Sequence, residues 1–248
     1  MITLILFVVF FNGFSLADNS SEGNEAFERG KVYVRNDDWS KAFEWFKKAA
    51  DQGNVDGQFA IGGMYYFGDG VDQDYKQAFE WYKKAADQGD ADSQFAIGGM
   101  YYFGDGVDQD YKQAFEWYKK AADQGHADGQ HFVGLMYKSG DGVDKNGKKS
   151  FLYMYKAAKQ NHVDAQYLLG LYYSIGKGVG KDLKKKFEWL KKAADQGHAG
   201  TQYYLGLMHY HGKGVNKNRE KAFDLFKKAA DQGNEDAEIA LIEYFDYP

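Results

Sequence analysis

An Ala-Ala pair returns every 36 residues in this chain, at Ala49-Ala50, Ala85-Ala86, Ala121-Ala122, Ala157-Ala158, Ala193-Ala194 and Ala229-Ala230. Asp-Gln-Gly follows it at 51–53, 87–89, 123–125, 195–197 and 231–233, and Lys159-Gln160-Asn161 takes that place once. Residues 59–89 and 95–125 are identical, the mark of a recent duplication. A period of roughly 20–50 residues means a repeat array, in which each unit buries its apolar face against its neighbours. A single Pro in 248 residues lets helix follow helix without interior breaks. The 30 Gly then serve as punctuation at regular places.

Each unit reads as two helices. In the unit 54–89, helix A runs from about Asp56 to Phe67, with Ile61, Met64 and Tyr65 on one face. The loop 68–73, with two Gly, ends it. Helix B runs from Tyr75 to Gln88, and its apolar set is Ala78, Phe79, Tyr82, Ala85 and Ala86. The residue before each helix B is Asp38, Asp74, Asp110, Asn146, Asp182 or Asn218. All are strong N-caps, worth ~1 kcal/mol each. Asp74 with Gln77, and Asp110 with Gln113, have the spacing of a capping box. After each helix B stands Gly53, Gly89, Gly125, Asn161, Gly197 or Gly233, residue types that accept a left-handed C-terminal cap.

Gly62 recurs inside helix A as Gly98, Gly134, Gly170 and Gly206. A mid-helix Gly costs ~1 kcal/mol against Ala, so a close approach of helix B must offset it. The expected facing residue is the small Ala78. Ile242 takes the next place in the series, where no helix B follows, so 234–248 reads as a capping half unit. In the first unit, Phe27, Gly30, Val32 and Tyr33 match Phe59, Gly62, Met64 and Tyr65 at an offset of 32. The expected solenoid therefore covers 18–248. It has a short unit 20–53, full units 54–89, 90–125, 126–161, 162–197 and 198–233, and the half unit.

Ile2 to Phe11 is an uncharged apolar run broken only by Thr3. It is about half the ~20 residues that span a bilayer. Ser15-Leu16-Ala17 before Asp18 gives the small-x-small pattern of a cleavage site. The expectation is a signal peptide over 1–17, cut after Ala17, and a periplasmic or secreted mature chain with no transmembrane span. No Lys or Arg precedes the apolar run, and a buried N-terminal strand or helix is the other reading.

Cys is absent, which excludes a disulfide scaffold, a thiolate zinc site and a Cys nucleophile. A net charge of −5 argues against a nucleic-acid partner. Ser174 and Lys177 fit Ser-x-x-Lys, but the companion Ser-Asp-Asn and Lys-Thr-Gly motifs are missing, so no catalytic residue is expected. The Gly-Asp-Gly-Val-Asp-Gln-Asp loops place acids at 1, 4 and 6 of a calcium register, which is not the EF-hand pattern. His126, His162 and His198 stand where other units have Asn54, Asp90 and Asn234, and are expected to be exposed polar residues rather than a metal or pH device. His209 and His211 are two apart and do not share a helix face. No metal and no cofactor are expected.

Gly-x-Gly-Val, then Asp or Asn, then Ala-Phe-x-Trp-x-Lys-Lys-Ala-Ala-Asp-Gln-Gly resembles the Sel-one-like (Sel1-like) repeat, a relative of the tetratricopeptide repeat with a longer inter-helix loop. The resemblance covers about 20–248, and the short first unit is more like a plain tetratricopeptide repeat. It implies an all-α, right-handed α/α superhelical solenoid of about six two-helix repeats plus a capping helix, with helices A lining the concave side. It also implies a non-enzymatic scaffold for protein–protein interaction, its partner an unidentified protein or peptide. Relatives associated with β-lactam binding are Cys-rich, unlike this chain. A hydrolytic or β-lactam-binding envelope enzyme and a glycan-binding module are the alternative functions.

By analogy with those repeats, the concave stripe begins with Phe27, Phe59, Phe95, His131, Tyr167 and Tyr203. Gly63, Gly99, Leu135, Leu171 and Leu207 lie one turn on, and Tyr66, Tyr102, Lys138, Ser174 and Tyr210 another turn on. The candidate partner-binding set is Phe59, Tyr66, Phe95, Tyr102, His131, Tyr167, Tyr203 and Tyr210, rings that either anchor a partner or pack between units. Charge is uneven along the chain. Residues 1–125 carry 12 basic and 21 acidic side chains, and residues 126–248 carry 19 and 15. Such a gradient steers a polar partner or simply decorates a solvated edge.

Overall fold

The computed structural model describes residues 21–247, so the expected signal peptide over 1–17 lies outside the described residues. Among the described residues there are thirteen α-helices and no strand. They fall into two compact units, one ending at His126 and one beginning at Ala127. The first unit holds α1 (Ser21–Arg35), α2 (Trp39–Asp51), α3 (Val55–Phe67), α4 (Tyr75–Asp87), α5 (Ala91–Phe103) and α6 (Tyr111–Asp123). The second holds α7 (Ala127–Ser139), α8 (Gly147–Lys159), α9 (Val163–Ile175), α10 (Leu183–Asp195), α11 (Ala199–His211), α12 (Arg219–Ala230) and α13 (Glu235–Phe245). Odd-numbered helices are the A helices and even-numbered ones the B helices. Within each unit a helix packs on the elements adjacent to it in sequence.

The helix ends form as the cap residues predict. Asp74 Oδ1 accepts from the backbone N–H groups of Lys76 and Gln77 at 2.9 and 3.0 Å, and Asp110 does the same with Lys112 and Gln113. Asp38, Asn146, Asp182 and Asn218 each accept from the residue three positions on. The capping box is only half made. The backbone N–H of Asp74 donates to Tyr65 O at 2.9 Å, and that of Asp110 to Tyr101 O at 2.9 Å. That N–H is already satisfied, so Gln77 and Gln113 have no donor to reach back for, and both are exposed. At the other end Asn161 takes φ 66°, in series with Gly125 at 95° and Gly197 at 91°. Asn is the residue after Gly that best tolerates this region.

The mid-helix glycines meet large residues. A Cβ on Gly62 would lie 2.6 Å from the Tyr82 ring, and one on Gly98 would lie 2.6 Å from the Tyr118 ring. Phe46, Leu190 and Phe226 stand over Gly30, Gly170 and Gly206 in the same way, and Met154 stands over Gly134. The expectation that Ala78 faces Gly62 is corrected. A missing side chain on helix A makes room for a bulky one on helix B, four residues beyond the small Ala. Tyr118, Phe46, Phe226, Ile61, Met64, Ile97, Met100, Met136, Met154, Leu169 and Leu190 are the largest fully buried apolar side chains. Each contributes ~1.5–3 kcal/mol by burial. Ile242, with no helix B beyond it, is 57% exposed.

Buried glutamines link successive helices. Gln94 Nε2 donates to Ala86 O at 3.2 Å, while its Oε1 accepts from Gln124 Nε2 at 2.9 Å. Gln58, Gln166 and Gln202 repeat both bonds with their own partners. One side chain on helix A thus ties the preceding helix B to the end of its own.

Candidate functional site

The proposed stripe is built from A-helix rings held by what lies under and beside them. In the first unit, Phe59 packs on Tyr82 with ring centroids 5.5 Å apart, and Phe95 packs on Tyr118 at 5.2 Å. Phe95 also stacks on His126 at 4.9 Å. The Tyr66 hydroxyl donates to Asp105 Oδ2 at 2.6 Å, joining one helix A to the next inter-helix loop. Burial, then that bond to a carboxylate, pushes the Tyr66 phenol up, so it stays a donor. Asp105 belongs to one of the loops whose acids are out of calcium register, and here it serves as an acceptor for tyrosine.

In the second unit, His131 stacks on His162 with centroids 4.3 Å apart and planes 11° from parallel. Tyr167 stacks on His198 at 5.0 Å, and burial followed by the neighbouring Tyr204 pushes its phenol up to about 12. Tyr203 packs on Phe226 at 5.8 Å, and Tyr210 stacks on Tyr244 at 4.3 Å. Seven of the eight candidate rings are half-buried, with an edge left in water, and His131 is buried. Desolvation, then the charge of His162, lowers the His131 imidazole to about 4.

The histidine row is not exposed, which corrects that expectation. Side-chain exposure is 15% at His126, 13% at His162 and 24% at His198. His162 and His198 accept through Nδ1 from the backbone of Ala165 and Thr201 and so cap α9 and α11. The Nε2 atoms of His126 and His162 face Asp92 and Asp128 at 3.0 Å, and that of His198 faces Asp164 at 3.5 Å. The bond from His198 holds the Asp164 carboxyl below the usual range. A cap position was legible in the sequence, but the stack on the preceding ring and the reach to Asp were not. Their only trace is Asp two residues into helix A, at Asp92, Asp128 and Asp164.

Sequence reasoning also missed the ends of the A helices. Phe103 is 63% exposed and sits beside Tyr102, which in turn packs on Tyr111. The duplicate unit repeats the cluster as Tyr66, Phe67 and Tyr75. An aromatic residue just before the Gly that ends helix A was the available signal. Ser174 lies in the last turn of α9, and Lys177 in the loop beyond the Gly176 cap.

The Sel1 repeat model matches this chain six times, at residues 23–54, 55–90, 91–126, 127–162, 163–198 and 199–234. The chain belongs to the Sel1 repeat family. Its fold is the all-α, two-helix-repeat solenoid of that family, with six repeats and a C-terminal helix. A Sel1 repeat protein from Oxalobacter formigenes has a crystal structure of TM-score 0.82 and 34% identity to it, covering 87% of this chain and 89% of that one. The crystal structure of c5321, a protective antigen present in uropathogenic Escherichia coli strains, has TM-score 0.83 and 29% identity. It covers 98% of this chain, and the Sel1 chain described here spans only 57% of that protein's length. The immunity protein Pa5087 of Pseudomonas aeruginosa, at 18% identity and TM-score 0.53, shares the fold alone. No curated protein matches the chain. No helix of the described residues is long and apolar enough to cross a membrane.

Proposed function

We propose that this Sel1 chain is a non-enzymatic scaffold that holds a partner protein or peptide along its A helices. Sel1 repeats mediate protein interactions, and the fold is in general a scaffold rather than an enzyme. The observation that carries the reading is Phe103, a ring 63% exposed at the end of α5 and flanked by Tyr102 and Tyr111. A ring that open adds little to folding, and aromatic anchors dominate protein interfaces. The duplicated unit repeats the cluster at Tyr66, Phe67 and Tyr75, with Phe67 half-buried. The loops 68–74 and 104–110 beside them each carry three acids and no base. The partner that fits presents apolar side chains flanked by Lys or Arg.

The setting proposed is the periplasm or the cell exterior, on the strength of Ser15-Leu16-Ala17 after an apolar run. The antigen character of the similar E. coli protein supports it. The test is capture from the native envelope fraction with the wild-type chain and with a Tyr102→Ala/Phe103→Ala variant of unchanged helix content. A bound protein lost in the variant supports the reading. The same proteins held equally by both would refute it.

A further inference from the structure

One ring nitrogen each from His131 and His162, and one carboxylate oxygen of Asp164, lie within 4.8 Å of one another. All three belong to the second unit: His131 on α7, His162 at the cap of α9, and Asp164 in the first turn of α9. His131 breaks the pattern of its own repeat position, where Phe59, Phe95, Tyr167 and Tyr203 carry rings without nitrogen. It is 7% exposed, and its Nδ1 meets no hydrogen-bond partner. An unpaired buried nitrogen costs stability that Phe at this place avoids.

We propose that His131, His162 and Asp164 form a binding site for a divalent transition-metal ion of the zinc, nickel or copper class. Two imidazoles and a carboxylate are a donor set suited to those ions, whereas calcium and magnesium take oxygen ligands. Donors around a tetrahedral ion with bonds of about 2.0–2.1 Å stand about 3.4 Å apart, so the three groups draw together on binding. The stacked rings tilt out of parallel so that each in-plane lone pair faces the ion. The Nδ1 of His162 caps α9 and its Nε2 faces Asp128 at 3.0 Å. Because Nδ1 accepts the cap bond, Nε2 carries the ring proton; an ion at Nε2 moves that proton to Nδ1, ends the bond from Ala165 N–H, and leaves Asp128 beside the metal as a further ligand.

The chain itself supplies the control variants. His131→Phe installs the residue of Phe95, and His162→Asn installs the cap residue of Asn54, so both keep the repeat pattern. Asp164→Asn removes an exposed charge and gives a third variant. The full chain is titrated calorimetrically with zinc chloride and with nickel chloride, and folding is followed by circular dichroism. The expected result is one ion per chain, bound roughly a hundredfold or more weakly in each folded variant. No saturable one-to-one binding, undiminished binding by His131→Phe, or a loss that follows only replacement of His209 and His211 overturns the proposal.

Discussion

Gln196 donates from Nε2 to Gln166 Oε1 across 2.9 Å, and Gln166, fully buried, passes the link on from its own Nε2 to Ala158 O. Removing the donor leaves a buried oxygen without a partner. Gln196→Ala is therefore expected to cost about 1–3 kcal/mol although Gln196 itself is exposed. Urea denaturation checks this. A Gln196→Ala/Gln166→Met double mutant measures the coupling, and additive losses would show that the bond is not made.

Gly98 and Gly134 hold the same repeat position but respond differently to a methyl group. At Gly98 the new Cβ meets the rigid Tyr118 ring at 2.6 Å, while at Gly134 it meets the flexible end of Met154 at 3.0 Å. Both substitutions recover ~1 kcal/mol of helix propensity. Overpacking costs ~1–3 kcal/mol where the neighbour cannot move. Gly98→Ala is expected to be less stable than Gly134→Ala by about 1–2 kcal/mol. Equal melting temperatures would refute the ring contact.

The His131 imidazole titrates at about 4, below its ordinary value, because it is desolvated and faces His162. Asp164, Asp128 and Lys138 are the other charged groups acting on it. The unfolded chain takes up this proton near pH 6.5, and the folded chain holds it off until about 4. Stability from this group is therefore complete above pH 6.5 and falls as pH drops toward 4. Between pH 7 and 5 the loss is about 2 kcal/mol. His131→Phe measured across the same window should lack that slope, and a parallel decline in both proteins would sink the assignment.

The partner reading adds a kinetic expectation. With acidic loops beside Tyr66 and Tyr102, association with a basic partner should slow as salt rises, while Phe103→Ala should act mainly on dissociation. Stopped-flow mixing at several ionic strengths separates the two. A salt-indifferent association rate would remove the charge from the mechanism.

Serine chemistry gives a negative expectation. Ser174→Ala should leave any β-lactam or ester turnover of the preparation unchanged, assayed with a chromogenic substrate. A loss of turnover would promote the enzyme alternative over the scaffold.

Helices and their caps were legible because one 36-residue message is written five times in full and once shortened, and each copy checks the others. Asp74, Asn146 and Asn161 announce their roles by type alone. What lay hidden depends on partners far apart in sequence. Gly62 signals a close approach, but nothing local says that Tyr82 rather than Ala78 fills it. The Gln of Asp-Gln-Gly is plainly repeated, yet its acceptor 30 residues earlier is set by how helix B folds back on helix A. The stripe rings could be named from family geometry, but their dual use, packing beneath and exposed at the edge, is a property of the packed helices.

The identical stretches 59–89 and 95–125 have a genetic corollary. Each repeat touches chiefly the helices next to it in sequence, so an allele with one 36-residue block more or fewer would reuse junctions that already exist. Unequal recombination between the two copies would therefore yield folded proteins of different length. Natural length polymorphism is expected to arise first in this stretch, changing how many copies of the aromatic cluster the chain carries.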